Sequence, residues 1–259
     1  MSDYGSPVFF TDSDDPLTPN RTARTRSLMR SRPRRREVVP LDIPIGGITA
    51  ITPSLKAAGR FDLIVDGTPV ARLSIDGIER LRLQVGRDIN ESEVATIGAE
   101  AEASRTYDRA IAMLAARGRA SGELRRLLVR KGEVPQTVDL VVARLTTAGF
   151  LDDSAFAREF TRYRAGSGLS RRRIERELRR RGIERTKAAA AIAETFAEEG
   201  VNEMAAIETA ARKKLRTMSL LDGPTTRGRL YGFLARRGFD ADAINLIVRR
   251  LTNEPIDDA

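Results

Sequence analysis

Apolar positions along the chain follow two different periods. Between about Ile45 and Val85 they alternate in short runs, "ITAITP", "GRFDLIVDG" and "TPVARLSI", with Phe61, Leu63 and Val65 set against polar neighbours. Period-two alternation bounded by turn residues predicts half-buried strands, and Asp-Gly within "VDGTPV" predicts a tight hairpin between the second and third. The following "SIDGIERLRLQVG" predicts a short helix with Ile78, Leu81 and Val85 turned inward. This β-meander with one helix is too small to stand alone and should dock onto its neighbour.

After Asn90 the period lengthens to that of a helix and stays there. Asn90 with Glu93 makes a capping box, and Val94, Ile97 and Ala101 open a helix that either runs on or breaks before Tyr107. Three later stretches align with one another: "ELRRLLVRKG", "RIERELRRRG" and "RLYGFLARRG", ending at Gly132, Gly182 and Gly238. Each carries an apolar residue eight before the glycine (Leu124, Ile174, Leu230) and another four before it (Leu128, Leu178, Leu234). That is a narrow apolar stripe on a basic helix, with glycine placed to close it.

The alignment extends on both sides. Downstream, Val138, Ala188 and Ile244 hold equivalent positions in a further helix. Upstream lies an amphipathic helix carrying Tyr107, Ile111 and Leu114, then Phe156, Phe160 and Tyr163, then Met204, Ile207, Ala211 and Leu215. The unit is therefore a three-helix module of about fifty residues, repeated three times. Modules with so little apolar surface each should stack into an elongated, curved body. The fold class expected is mainly α: tandem three-helix repeats, preceded by a small β-containing domain and a disordered arm. The expected divisions are 1–40 for the arm, 41–88 for the β domain, and 89–149, 150–200 and 201–259 for the repeats. The arm has no periodic apolar pattern, its charges are all positive from Arg21 to Arg36, and an acidic front surrounds Asp12, Asp14 and Asp15. It suits either electrostatic tethering to nucleic acid or a solvated extension without a role.

Composition narrows the chemistry. The chain of 259 residues has neither Cys nor His, which removes thiolate nucleophiles, imidazole acid–base catalysis, disulfides and zinc sites built on those ligands. No apolar run approaches the roughly 20 residues of a spanning helix, and the N-terminus lacks the regions of a signal peptide, so a soluble, cytoplasmic protein is expected. The net charge is +9, carried almost wholly by Arg. A GC-rich genome explains part of the preference for Arg over Lys, but not where the arginines cluster.

They cluster on the middle helices: Arg125, Arg126, Arg130 and Lys131; then Arg171, Arg172, Arg173, Arg176, Arg179, Arg180 and Arg181; then Arg227, Arg229, Arg236 and Arg237. A charge run is ordinarily a solvated face. Recurrence in three modules favours a basic stripe facing a phosphate backbone or an acidic protein groove. Glu175 and Glu177 temper the second cluster and are expected to pair with Arg179 and Arg181 at i,i+4 spacing.

These residues also resemble a known family, the RecX regulators of RecA recombinase. The resemblance is carried by "GFLDDSAFA" at 149–157, the following "RYRAGSGLSRRRIERELRRRGI", and "RASGELRRLLVRKG" at 119–132. It covers roughly Arg105 to Leu251, and "RFDLIVDGTPVARLSIDGIERLRLQVGRDINESEV" looks like the β-containing extension of longer members; the Arg-rich arm is outside the pattern. The resemblance implies a non-enzymatic modulator, a tandem three-helix repeat protein that binds RecA or its nucleoprotein filament. Its usual effect is to restrain filament growth, strand exchange, ATP hydrolysis and coprotease activity, and some members bind DNA directly. It brings no catalytic constellation, no cofactor and no binding motif to transfer.

The binding residues expected from charge are therefore Arg125, Arg126, Arg130, Lys131, Arg171, Arg172, Arg173, Arg176, Arg179, Arg180, Arg236 and Arg237, on a monomeric chain. Two other readings stay open: a general DNA- or RNA-binding repeat protein with no recombinase partner, and a Mg²⁺-dependent nuclease using Asp152 and Asp153. Against the nuclease, the pair directly precedes the Phe156, Phe160 and Tyr163 helix, where Asp caps free backbone N–H groups. Those aromatics, spaced four and three, share one face and read as core. "AGSGLS" at 165–170 lacks the lysine of a phosphate loop and reads as a turn with Ser170 as the next N-cap.

Overall fold

The computed structural model describes residues 43–218 and 223–253. They form two compact units, one of residues 43–119 and 123–151, the other of 120–122 and 152–253. The expected arm, 1–40, lies outside the described residues.

In the first unit, β1 (Gly46–Pro53) pairs antiparallel with β2 (Phe61–Val65), which pairs with β3 (Thr68–Leu73). Asp66 and Gly67 join the last two with φ of 47° and 78°, the double positive φ that a two-residue primed turn demands. A short helix α1 (Ile75–Arg80) follows, capped by the Ser74 hydroxyl, which accepts from Gly77 N at 3.1 Å. The sequence overran this helix. It ends at Arg80, Arg82 takes φ of 49°, and Val85 is 63% exposed rather than inward. Leu83 and Ile89 enter the core instead, because the chain turns back to lay β4 (Asp88–Ile89) against Gly46 and Gly47. The sheet order is β3-β2-β1-β4.

The docking expected of this small domain is achieved by one long helix, α2 (Glu91–Ala116), entered through the Asn90–Glu93 capping box. It runs past Tyr107 without a break. Ile97 and Ala101 pack on the sheet, while Ala103 and Ala110 pack with Leu124 and Leu128 of α3 (Ser121–Arg130) and with Val138, Val141 and Leu145 of α4 (Pro135–Thr147). Two cores therefore share a helix. Where they meet, Glu100 is buried and accepts from both Nη atoms of Arg144 at 2.8 Å and from Arg80 Nη1 at 2.8 Å.

The second unit contains α5 (Asp153–Gly166), α6 (Arg171–Arg181) and α7 (Arg185–Glu198), then α8 (Glu203–Leu215), α9 (Gly223–Arg236) and α10 (Ala241–Asn253). The aligned apolar positions of all three middle helices are fully buried, as are Val138 and Ala188, with Ile244 nearly so. Gly132, Gly182 and Gly238 take φ of 93°, 90° and 87°, the left-handed conformation that closes each middle helix and that only glycine adopts without cost. Phe156 and Phe160 stack in the core, ring centroids 6.1 Å apart, and the guanidinium groups of Arg164 and Arg181 lie over the Phe160 ring. Met204, read as inward, is instead 41% exposed, and Ile207, Ala210 and Ala211 form the buried face of α8.

Candidate interaction face

The exposed arc of α6 is built by exclusion. Ile174 and Leu178 face the core, and between them Glu177 is buried where Arg173 Nε reaches its Oε1 at 2.8 Å and Arg164 Nε lies 3.2 Å from its Oε2. A buried carboxylate needs such partners. Glu177 therefore turns back to Arg173, and Glu175 lies 3.9 Å from Arg185 rather than against the expected Arg179. What remains outward is Arg172, Arg176 and Arg179, at i, i+4 and i+7 on one face, with Arg180 beside them, all exposed.

Arg173 is the first correction to the expected binding set. Its side chain is 12% exposed and committed to Glu177, so it is a core cation. Arg237 is the second. Nη1 donates to the carbonyls of Ser167 at 2.5 Å and Gly168 at 2.9 Å, and the guanidinium lies 4.7 Å over the Phe233 ring. Burial lowers its pKa. It joins α9 to the loop before α6 and presents little charge outward. Arg171 is exposed but lies 4.3 Å over the Phe196 ring. Arg125 is exposed but carries its own counter-ion, bonding Asp139 through Nε at 2.5 Å and Nη2 at 3.1 Å.

Counting back from each closing glycine shows how far the basic face recurs. The position two before it is Arg130, Arg180 and Arg236, exposed in every case. Six before it are Arg126, Arg176 and Gly232; ten before it are Gly122, Arg172 and Gly228. The charge is densest on α6 and thins on the other two middle helices. Arg126, Arg130 and Lys131 remain exposed on the first, Arg236 on the third.

Both carboxylates of the pair cap helices. Asp152 caps α5, accepting from Ser154 N at 2.8 Å and Ala155 N at 2.9 Å. Asp153 caps a different helix, accepting from Ser121 N at 2.8 Å and Ser121 Oγ at 2.6 Å at the start of α3. Glu203, in the equivalent place one module later, accepts from Arg171 N at 3.2 Å at the start of α6. The sequence signal was available: each acid directly follows the N-cap of its own helix, Asp152 or Asn202. Among the described residues no group of three or more acidic side chains could hold a metal ion, and no helix is long and apolar enough to cross a membrane.

Two family models match within the second unit: "RecX, second three-helix domain" over residues 152–192 and "RecX, third three-helix domain" over 202–248. A regulatory protein RecX of Amycolatopsis mediterranei is 34% identical over 143 residues, 55% of this chain and 80% of that one. One of Xanthomonas oryzae pv. oryzae is 32% identical over 162 residues, 62% of this chain and 98% of that one. A crystal structure of a regulatory protein RecX shares the fold, with a TM-score of 0.65 over 78% of this chain and 98% of the other at 19% identity.

Proposed function

Because the chain belongs to the RecX family of regulatory proteins, we propose that it is a non-enzymatic, cytoplasmic modulator that binds RecA recombinase or its filament on DNA. Its effect is to restrain filament growth, ATP hydrolysis, strand exchange and SOS coprotease activity. The observation that carries this reading is the α6 arc, where Arg172, Arg176 and Arg179 stand exposed at helical spacing. Among the described residues none of the three is in an ion pair. Three guanidinium groups without counter-ions favour a surface rich in phosphate or carboxylate, and a nucleoprotein filament offers both. Arg126, Arg130, Lys131, Arg180 and Arg236 extend the basic surface. Bridging neighbouring protomers through it would alter disassembly or block extension and access for a second duplex.

The test is the ATPase of RecA on single-stranded DNA, titrated with the chain. Substoichiometric amounts should lower the rate, and reversing Arg172, Arg176 and Arg179 to Glu should abolish the effect while the fold is retained. An ATPase that responds only near full coverage of the DNA, or a reversal variant as potent as the natural chain, would rule the proposal out. The first of those outcomes marks a general nucleic-acid-binding protein. Repeating the titration without residues 1–40 separates the contribution of the arm.

A further inference from the structure

Apolar residues on either side of the junction between the second and third modules pack into separate cores: Phe160, Ile174 and Leu178 into one, Leu230, Leu234 and Phe239 into the other. What spans the junction is a set of hydrogen bonds around the start of α6. Ser170 N donates to the Arg237 carbonyl at 3.1 Å, and Arg171 N to Glu203 Oε1 at 3.2 Å. Arg237 Nη1 donates to the carbonyls of Ser167 and Gly168 at 2.5 and 2.9 Å. Gly238 completes the fit. A Cβ there would fall 2.6 Å from Arg173 Cβ, so the end of α9 comes this close to α6 only because the position has no side chain.

The first middle helix starts differently. Twelve residues before its closing glycine stands Ala120, fully buried in the core of the second module, where α6 has Ser170. An apolar anchor is released only by exposing it to water, whereas a hydrogen bond across a junction exchanges for one to water at little net cost. The polar seam should therefore give way while the cores on either side stay closed, as separate cooperative units do. The chain passes from one module to the next through residues 199–202, where Gly200 takes φ of 58°. Arg237 makes two of the bonds across the seam, and its guanidinium is held by two neutral carbonyls and the Phe233 ring, acceptors weaker than a carboxylate.

From these observations we infer that the junction is a latch: the third module swings away from the second as a folded body about residues 199–202, and Arg237 holds it shut. Shut, it fixes how far Arg236 of α9 stands from the Arg172, Arg176 and Arg179 arc of α6. Open, it carries Arg236 away while the arc itself stays intact, so the same basic side chains meet a partner at two spacings rather than one. The inference concerns the motion of the chain alone and holds whatever partner the arc meets.

Native-state hydrogen exchange of the full chain, with no partner present, tests it. The Ser170 and Arg171 amides donate across the junction, while those of Leu178 and Leu234 lie inside α6 and α9. In the natural chain the first pair should exchange about tenfold faster than the second or more, at rates that low urea leaves unchanged, since opening a polar seam exposes little apolar surface. Arg237→Gln should speed the first pair by about tenfold and leave the second as it was. It removes neither acceptor, because Ser170 bonds the backbone of 237 and Arg171 bonds Glu203. Glu203→Ala should likewise speed Ser170, whose own partner it leaves in place, by about threefold. Four amides that exchange at one rate, or that Arg237→Gln speeds alike, would show that the junction parts only when the unit unfolds, and the latch would be overturned. The chain has no Cys, so spin labels on Ala190→Cys and Asn245→Cys, both exposed, report the distance across the junction. A second distance should be present and gain population in Arg237→Gln. One unchanged distance in both chains would assign the exchange to fraying of α6 and equally overturn the latch.

Discussion

Asp153 caps the helix that begins at Ser121, accepting from both its backbone N–H and its hydroxyl, although Asp153 is itself the first residue of α5. A charged acceptor serving two donors on another helix does more than a local cap, because its removal leaves a helix start unsatisfied at a distance in sequence. Asp153→Ala should lower stability by about 1–2 kcal/mol, read as a shift in the urea midpoint with slowed protection lost at the amides of 121–123 in hydrogen exchange. Asp152→Ala should cost about 1 kcal/mol, with lost protection confined to Ser154 and Ala155. Neither the natural chain nor either variant should cleave DNA in Mg²⁺, since both carboxylates serve as helix caps. Mg²⁺-dependent cleavage that disappears in either variant would contradict this account.

Gly238 closes α9 and also sits against the start of α6. Its φ is 87°, and a Cβ there would fall 2.6 Å from Arg173 Cβ and 2.7 Å from Ser170 Oγ. A left-handed alanine alone costs about 1–2 kcal/mol, and the contact with Arg173 offers no flexible end to move aside. Gly238→Ala should therefore destabilise the second unit by about 2 kcal/mol or more. A midpoint within experimental error of the natural chain would show that the two helices can part at this point without cost.

Arg237, just past the end of α9, and Arg179, near the end of α6, both lie close to a closing glycine, yet they should respond oppositely to truncation. Arg237 satisfies the carbonyls of Ser167 and Gly168, so Arg237→Ala should cost about 1–3 kcal/mol and leave the salt dependence of binding nearly unchanged. Arg179 is exposed, so Arg179→Ala should leave the unfolding midpoint in place and weaken filament binding. Paired urea and binding measurements on the two variants check the contrast.

That contrast also marks where the sequence stopped being informative. The buried positions of the middle helices were legible because leucine, isoleucine and glycine recur at constant offsets, and repetition turned a weak periodic signal into a strong one. Arginine carries no such signal. Its stem reaches either toward water or back into the core, and Arg173 turned inward because Glu177 was already buried, a fact about tertiary packing rather than spacing. The same holds at Val85, where the helical pattern of "IERLRLQV" continues past the point at which Arg82 takes φ of 49° and the backbone leaves the helix. The two-residue strand β4 is too short to carry a period at all.

Glu100 ties the sheet-bearing half of the first unit to its helical half through Arg80 and Arg144. Burial alone would raise its pKa, but hydrogen bonds and charge from Arg144, then from Arg80, outweigh that and hold the carboxyl below its ordinary 4.5. A carboxylate whose pKa is lower folded than unfolded binds fewer protons in the folded state near that pH, so the unfolded chain takes up protons first. The stabilisation is complete above about 4.5 and declines as pH falls from there through the lowered value. Glu100→Gln should therefore destabilise the first unit by about 1–3 kcal/mol at pH 7. It should also flatten the loss of stability as pH falls below about 4.5, because the variant has no carboxyl to protonate at this site. Urea midpoints of the two chains measured across that range should converge as the pH falls. Curves that stay parallel would show that Arg80 and Arg144 hold the two halves together without the Glu100 charge.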